Sequence, residues 1–324
     1  MNVHEWPLTA FTILAQMAVG AFVTLGLVNL FAQTKYSSKT VDRLAKPALY
    51  AIGPVMVLAL LASMFHLGNP LNAPNAIRHV ATSWLAREIL FGAGFAVLGF
   101  IFAAATWFGW FNAKIRNALA IFTAIWGLGF IWVMAHVYML PTVPAWNHWT
   151  TPATFYISAA LTGSLAIALA FSAWPIVSTK WPKLDHALTG ANKSSNDPAQ
   201  ARADIQTERE TISLTNQATK WIAITTIAML ALQLVVGTYA AAKPAGPNPA
   251  EVDPSPTWYA IRLVLLIIGA GIIGLYLTLT THKNLEGSQH KSLLALTLTS
   301  FALVTISEII ARFLFYGEMN RIGI

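Results

Sequence analysis

The sequence predicts an all-α integral membrane protein with eight transmembrane helices and both termini on the outer side of the membrane. Three observations lead there. The chain of 324 residues is 56% hydrophobic and only 10% charged, with a mean hydropathy of +0.58, whereas a soluble domain carries about 25% charge. Apolar stretches of the roughly 20 residues needed to cross a hydrocarbon core of about 30 Å recur along the whole chain. Lys and Arg concentrate in alternate loops, the pattern of a polytopic membrane protein. The period-two alternation of barrel strands is missing.

The spans are expected near residues 9–32, 47–67, 84–107, 114–138, 152–178, 219–242, 256–281 and 290–316, in a single polytopic domain covering 1–324. The first follows MNVHEWPL, which has no basic n-region and no cleavage site, so it reads as an uncleaved insertion signal. Lys35, Lys39, Arg43 and Lys46 follow it and face the cytoplasm. The second span ends at His66. The third opens near Trp84 and carries Arg87 and Glu88 in its first turns. Lys114 and Arg116 mark the next cytoplasmic turn, and the fourth span ends near His136. The loop Met139–Thr151 has neither Lys nor Arg and is rich in Trp and Pro, which suits an aromatic belt at the outer interface.

The fifth span leads into the one long polar stretch, residues 179–218, with Lys180, Lys183, Lys193, Arg202 and Arg209. Its Asn, Ser, Ala and mixed charge suit a solvated cytoplasmic tether between a five-helix and a three-helix part, with a short helix around Pro198 to Thr211. The sixth span is followed by Lys243 alone. The seventh carries Arg262, and Lys283 and Lys291 follow it inside. The eighth carries Glu308 and Arg312 in its outer half. The topology places the chain in the inner (cytoplasmic) membrane as a multi-pass protein.

Composition also excludes chemistries. With no Cys, the chain holds no disulfide, iron–sulfur cluster or thiolate metal site. The formal charge of +7 is accounted for by inter-helix loops, so membrane lipid rather than nucleic acid is the expected partner. A di-haem membrane cytochrome needs four axial His, paired across helices at two depths. His66 and His136 are the helix-associated candidates and both lie outward, so haem is not expected, and no metal site is.

Ionisable side chains in a bilayer cost several kcal/mol each and are usually functional. Here His66, Arg87, Glu88, His136, Arg262, Glu308 and Arg312 all fall in the outer half or at the outer surface, with His4 and Glu5 before the first span. An outward-facing polar pocket between helices explains that bias. The richest segment is SMFHLGNPLNAPNAIRHVATSWLAREI, Ser63 to Ile89. Plainer readings stand beside the functional one. Arg87 and Arg262 fit snorkelling to the interface; Arg78 fits ordinary surface charge; His136 fits a packing role; Glu308 and Arg312, spaced i,i+4 with Glu first, fit a structural ion pair. Glu88 has no cation assigned to it by the sequence, and His66 shares its mouth. A carboxylate and an imidazole at one membrane face suit quinol oxidation, in which two protons must leave as the electrons do.

At this point several segments resemble the membrane anchor subunit of anaerobic dimethyl sulfoxide reductase: HEWPL, ASMFHLGNPLNAPNAI, SWLAREI, VPAWNHWTTP and SEIIARFLFYGEM, in order along essentially the whole chain. The stretch from about Thr179 to Lys220 looks longer and more charged than that family's pattern. The resemblance implies an eight-helix subunit without its own haem, iron–sulfur cluster or molybdopterin. Such a subunit holds a molybdopterin catalytic subunit and a four-cluster iron–sulfur electron-transfer subunit at the outer face. It oxidises menaquinol and passes the electrons to the iron–sulfur partner, in anaerobic respiration with dimethyl sulfoxide or a related acceptor. The chain is then not the catalytic subunit for acceptor reduction, but it carries the quinol-oxidation site. The resemblance places the essential Glu at Glu88 and the important His at His66; Arg87 and Arg78, from the same segment, are read beside them as quinol-binding residues. The alternatives are a passive structural anchor without a quinol site, and a secondary transporter, which the lack of an internal repeat disfavours.

Overall fold

The structure, a computed structural model, describes residues 5–65, 75, 77–190, 198–241, 256–280 and 288–319. His4, His66, the Gly68–Asn69–Pro70 turn, Lys193, Lys243 and Lys283 lie outside the described residues. Among those described there is no strand, and eight helices are long and apolar enough to cross a membrane.

The helices are α1 (Trp6–Ala32), α2 (Ser38–Met64), α3 (Trp84–Phe108), α4 (Ala113–Tyr138), α5 (Thr150–Lys180), the short α6 (Pro182–Thr189), α7 (Pro198–Ala241), α8 (Pro256–Thr280) and α9 (Ser288–Gly317). Their boundaries follow local chemistry. Ser37, Ser83 and Asn112 cap α2, α3 and α4, accepting the amide protons of Thr40, Ala86 and Ile115. Gly109 ends α3 in the left-handed conformation, φ 68°. In α8 a π-helical stretch, Ile267–Ile272, interrupts the α pattern. There Ser300 Oγ of α9 donates to the Gly269 carbonyl at 2.8 Å, so the freed backbone group keeps a partner in a medium without water.

Successive spans run antiparallel, as contacts at their ends show. The start of α1 meets the end of α2 through Trp6 and Phe65, 5.9 Å between rings. The start of α3 meets the end of α4 through Trp84 and His136, 4.7 Å. Trp149 of α5 meets Tyr239 of α7 at 5.6 Å. Tyr259 of α8 donates to Glu318 just past α9 at 2.6 Å. These contacts define one end of the bundle, called here the Glu88 end; Asp204 lies at the other.

α1 is the central helix and packs on α2, α4, α5 and α9. It crosses α5 at small residues: a Cβ on Gly20 would overlap the Ala159 carbonyl, and one on Gly163 the backbone of Gly20 and Ala21. Without hydrophobic drive inside lipid, such close backbone approach is what holds helices together. α3 is largely lipid-facing. Its buried stripe is Glu88, Gly92 and Phe95, spaced four and three. Phe130 of α4 fills the space a Cβ on Gly92 would need, and Phe95 does the same opposite Gly127. This interlock turns Glu88 into the bundle.

The Asp204 end departs from the sequence reading. Most of the polar stretch 179–218 is helical: α6 occupies part of it, and α7 starts at Pro198 and continues unbroken into the membrane span. α2 likewise starts at Ser38, well before residue 47. The tether is therefore docked. Lys39 pairs with Asp204 at 3.0 Å and Arg43 with Asp185 at 3.6 Å. Thr40 and Ser37 donate to Glu210 at 2.6 and 3.1 Å. Hydropathy registers only where a helix is apolar; these polar turns stay helical because the α1–α2 turn supplies their partners.

Candidate functional site

Glu88 sits one turn inside α3 and is 6% exposed. Its Oε1 has no hydrogen-bond partner, and no cation forms an ion pair with it among the described residues. A buried, unpaired carboxylate is costly unless it is protonated or serves a task. Arg87, its neighbour in sequence, does not compensate it. Arg87 donates from Nε to the Val80 carbonyl at 2.8 Å and from Nη2 to Ala81 at 2.7 Å, and its guanidinium lies 4.3 Å from the Trp84 ring centroid. It ties down the turn before α3. Arg78 sits exposed in the 3₁₀ turn Ile77–His79. His136 is held between Trp84 and Trp132, with Nδ1 2.8 Å from the Trp132 carbonyl oxygen.

The polar groups that do surround the Glu88 end come from other helices. Tyr138 of α4 and Tyr316 of α9 are close enough to Glu88 to interact with it electrostatically. Their hydroxyls lie 3.1 Å apart, and Tyr316 reaches Thr12 Oγ1 of α1 at 3.4 Å. Phe155, Phe315 and Trp146 wall this cluster, Trp146 donating to the Phe315 carbonyl at 2.8 Å. One turn further along α9, Arg312 is 5% exposed. It donates from Nη2 to Gln16 Oε1 at 3.1 Å and stacks 3.8 Å from the Phe155 centroid. Gln16 in turn reaches Met134 Sδ at 3.6 Å. One turn further still, Glu308 accepts from Gln233 Nε2 of α7 at 3.2 Å.

The expected contact between Glu308 and Arg312 is corrected by this geometry. They share a helix face, but each carries its own glutamine from a different helix, and their charges act on each other only across a longer gap. The i,i+4 spacing brings side chains onto one face; it does not choose between a helical neighbour and a better-placed partner across the interface. The residues that sequence reasoning missed are Gln16, Gln233, Tyr138 and Tyr316. Gln16 and Tyr316 had a signal, as polar side chains at helical spacing inside apolar spans: Thr9, Thr12 and Gln16 on α1, following Glu5 just before it, and Glu308, Arg312 and Tyr316 on α9. Among the described residues no group of three or more His, Asp or Glu is placed to hold a metal ion. The arrangement places a buried carboxylate at the same end of the bundle as an aromatic-walled cluster of hydroxyls.

Fold and site together define a polytopic helical membrane protein with a buried carboxylate, Glu88, at one end of its bundle, without an ion-pair partner among the described residues. The family model described as DMSO reductase anchor subunit (DmsC) matches residues 1–318, and the chain belongs to that family. It is similar to YnfH of Escherichia coli, an anaerobic dimethyl sulfoxide reductase polypeptide, 30% identical over 165 residues, 51% of this chain and 57% of that one. It is also similar to the anaerobic dimethyl sulfoxide reductase C polypeptide of Haemophilus influenzae, 32% identical over 169 residues, 52% and 59% of the two sequences. The corresponding C polypeptide of E. coli is 31% identical over 163 residues, 50% and 56%. The chain thus spans little more than half the length of the curated relatives it matches. No solved structure gives a significant match.

Proposed function

We propose that this chain is the membrane anchor subunit of a molybdopterin oxidoreductase complex, and that it oxidises menaquinol at the Glu88 end. The observation that carries the reading is the Glu88 carboxylate, buried and without an ion-pair partner among the described residues, in a chain of this family. Each quinol gives up two protons and two electrons. The electrons pass to a four-cluster iron–sulfur partner docked on the same face, and from there to a catalytic subunit that reduces dimethyl sulfoxide or a related acceptor. Glu88 accepts a quinol proton, and a burial-tuned carboxylate suits that task. His66 holds a quinone oxygen. Arg87 shapes the mouth by fixing the Val80–Ala81 turn, and Arg78 lines the approach. The Glu88 end faces outward in the inner membrane, because Lys35, Lys39, Arg43 and Lys46 belong to the opposite end.

Glu88→Gln keeps size and hydrogen bonding but removes the basic site. Quinol-supported turnover in the purified complex is expected to fall by about 10²-fold or more, while an artificial dye that reduces the partner subunits directly still supports turnover. Near-normal quinol oxidation by an assembled Glu88→Gln complex would show that the proton goes elsewhere. Normal assembly with partner subunits but no quinol oxidation by the unaltered chain would leave a passive anchor.

A further inference from the structure

We propose that this chain holds one anionic phospholipid, from the leaflet at the Asp204 end, in a groove between α1 and α7, with the headgroup on Lys35. The groove follows from the packing. α1 and α7 both pack on α5 but scarcely touch each other. α1 and α5 approach backbone to backbone at Gly20 and Gly163. One turn further, at Thr24, a space opens, and it continues to Lys35 just past the end of α1. Ser164 of α5 lines it beside the crossing, and α7 lines it between Leu214 and Thr225. Its volume is about 350 Å³, within the range of small-ligand sites. Residues 24–35 cover about 16 Å at 1.5 Å per residue, close to one leaflet of a hydrocarbon core about 30 Å thick. The groove therefore takes an acyl chain lengthwise.

The mouth selects the headgroup. Four basic residues follow α1. Lys39 pairs with Asp204, Arg43 with Asp185 and Lys46 with Asp42. Lys35, exposed at the rim, pairs with no carboxylate among the described residues. No Asp or Glu lines the groove among the described residues. Gln217 shares the mouth. Tyr36 donates to its Oε1 at 3.0 Å, which leaves the Nε2 hydrogens as donors. Trp221, one turn on, is 61% exposed. An indole at that depth suits the headgroup level, its ring against acyl carbons and its N–H toward an oxygen. A cation above an apolar slot, with no acid beside it, favours an anionic headgroup over a zwitterionic one.

A second groove, on the α2, α3 and α4 side of α1, has a volume of about 270 Å³ and works as an internal control. Its rim carries Lys46 already paired with Asp42 at 3.1 Å. It accepts an acyl chain without preferring an anion.

The test uses the full chain, stripped of lipid in neutral detergent and titrated by native mass spectrometry. Phosphatidylglycerol and phosphatidylcholine with the same acyl chains are the probes. The first phosphatidylglycerol is expected to bind about fivefold tighter than the first phosphatidylcholine, the scale of one lysine at an anionic surface. Lys35→Gln should bring the two to parity, Lys35→Arg should keep the preference, and Lys46→Gln should leave it unchanged. A photoreactive phosphatidylglycerol should label residues 24–35 and 214–225. Equal binding of both lipids by the unaltered chain would leave a plain acyl slot and overturn the proposal. So would a preference that survives Lys35→Gln. A preference that Lys46→Gln lowers as much as Lys35→Gln would reduce it to general surface charge, with the same consequence. Label confined to other helices would overturn the assignment even where the preference depends on Lys35. Menaquinone that displaces the label from these two segments would make the groove a quinone site and overturn it as well.

Discussion

Gln16→Leu is the substitution whose cost the structure prices most directly. Gln16 is fully buried, and Leu approximates its volume, so little cavity is created. What is lost is the acceptor for Arg312 Nη2 at 3.1 Å. Arg312 Nε already has no partner, so the guanidinium is left with aromatic faces, 3.8 Å from Phe155 and 5.6 Å from Phe315. A desolvated cation–π contact is worth about 2 kcal/mol, while stripping the partner from a buried charge costs about 3–5 kcal/mol. A loss of about 3 kcal/mol is expected, roughly a 100-fold shift in the folded fraction at about 1.4 kcal/mol per decade. The double substitution Gln16→Leu with Arg312→Met removes the charge as well as its acceptor and should be less damaging than Gln16→Leu alone. Thermal unfolding of the purified subunit in detergent, followed by tryptophan fluorescence, reads all three. Strictly additive losses would refute the pairing, as would a stronger coupling of Arg312 to Glu308 than to Gln16 in the parallel double-mutant cycle.

Other outcomes follow from the same geometry. Reporter fusions at Ile324 and near Asn196 should report opposite sides of the membrane; the same side for both would break the N-out, C-out topology. Gly163→Val should prevent assembly or cost more than the 1–3 kcal/mol typical of overpacking, because the new Cβ would meet the backbone of Gly20 and Ala21, while Gly26→Val, with open space around it, should be tolerated; equal behaviour in an expression and melting assay would contradict the tight α1–α5 crossing. Glu210→Ala should free the polar start of α7 from Ser37 and Thr40 and speed hydrogen exchange over residues 198–210; unchanged protection would mean that Lys39–Asp204 and Arg43–Asp185 suffice. Turnover in sealed vesicles should build no membrane potential, since quinol protons are released and acceptor protons consumed on one face; a measured potential would overturn that arrangement.

Much of this protein is written locally. Its eight apolar spans are legible because a bilayer core demands internally hydrogen-bonded segments of fixed length, and hydropathy is a property of consecutive residues. Glu88 stood out for the same local reason, as a carboxylate where lipid should be. The folded chain alone decided who meets whom. Spacing placed Glu308 and Arg312 on one face, but the crossing of α9 with α1 and α7 gave them Gln16 and Gln233 instead of each other. It gave Arg87 to the Val80–Ala81 turn and left Glu88 without an ion-pair partner among the described residues. It brought Tyr138, Tyr316 and Thr12 from three helices to one point. It also docked the charged stretch before Lys220 on the α1–α2 turn, where composition alone suggested a loose tether. Burial in a membrane is set along the chain, whereas the partner of a buried polar group is set by which helices cross at its depth, and those contacts join residues hundreds of positions apart.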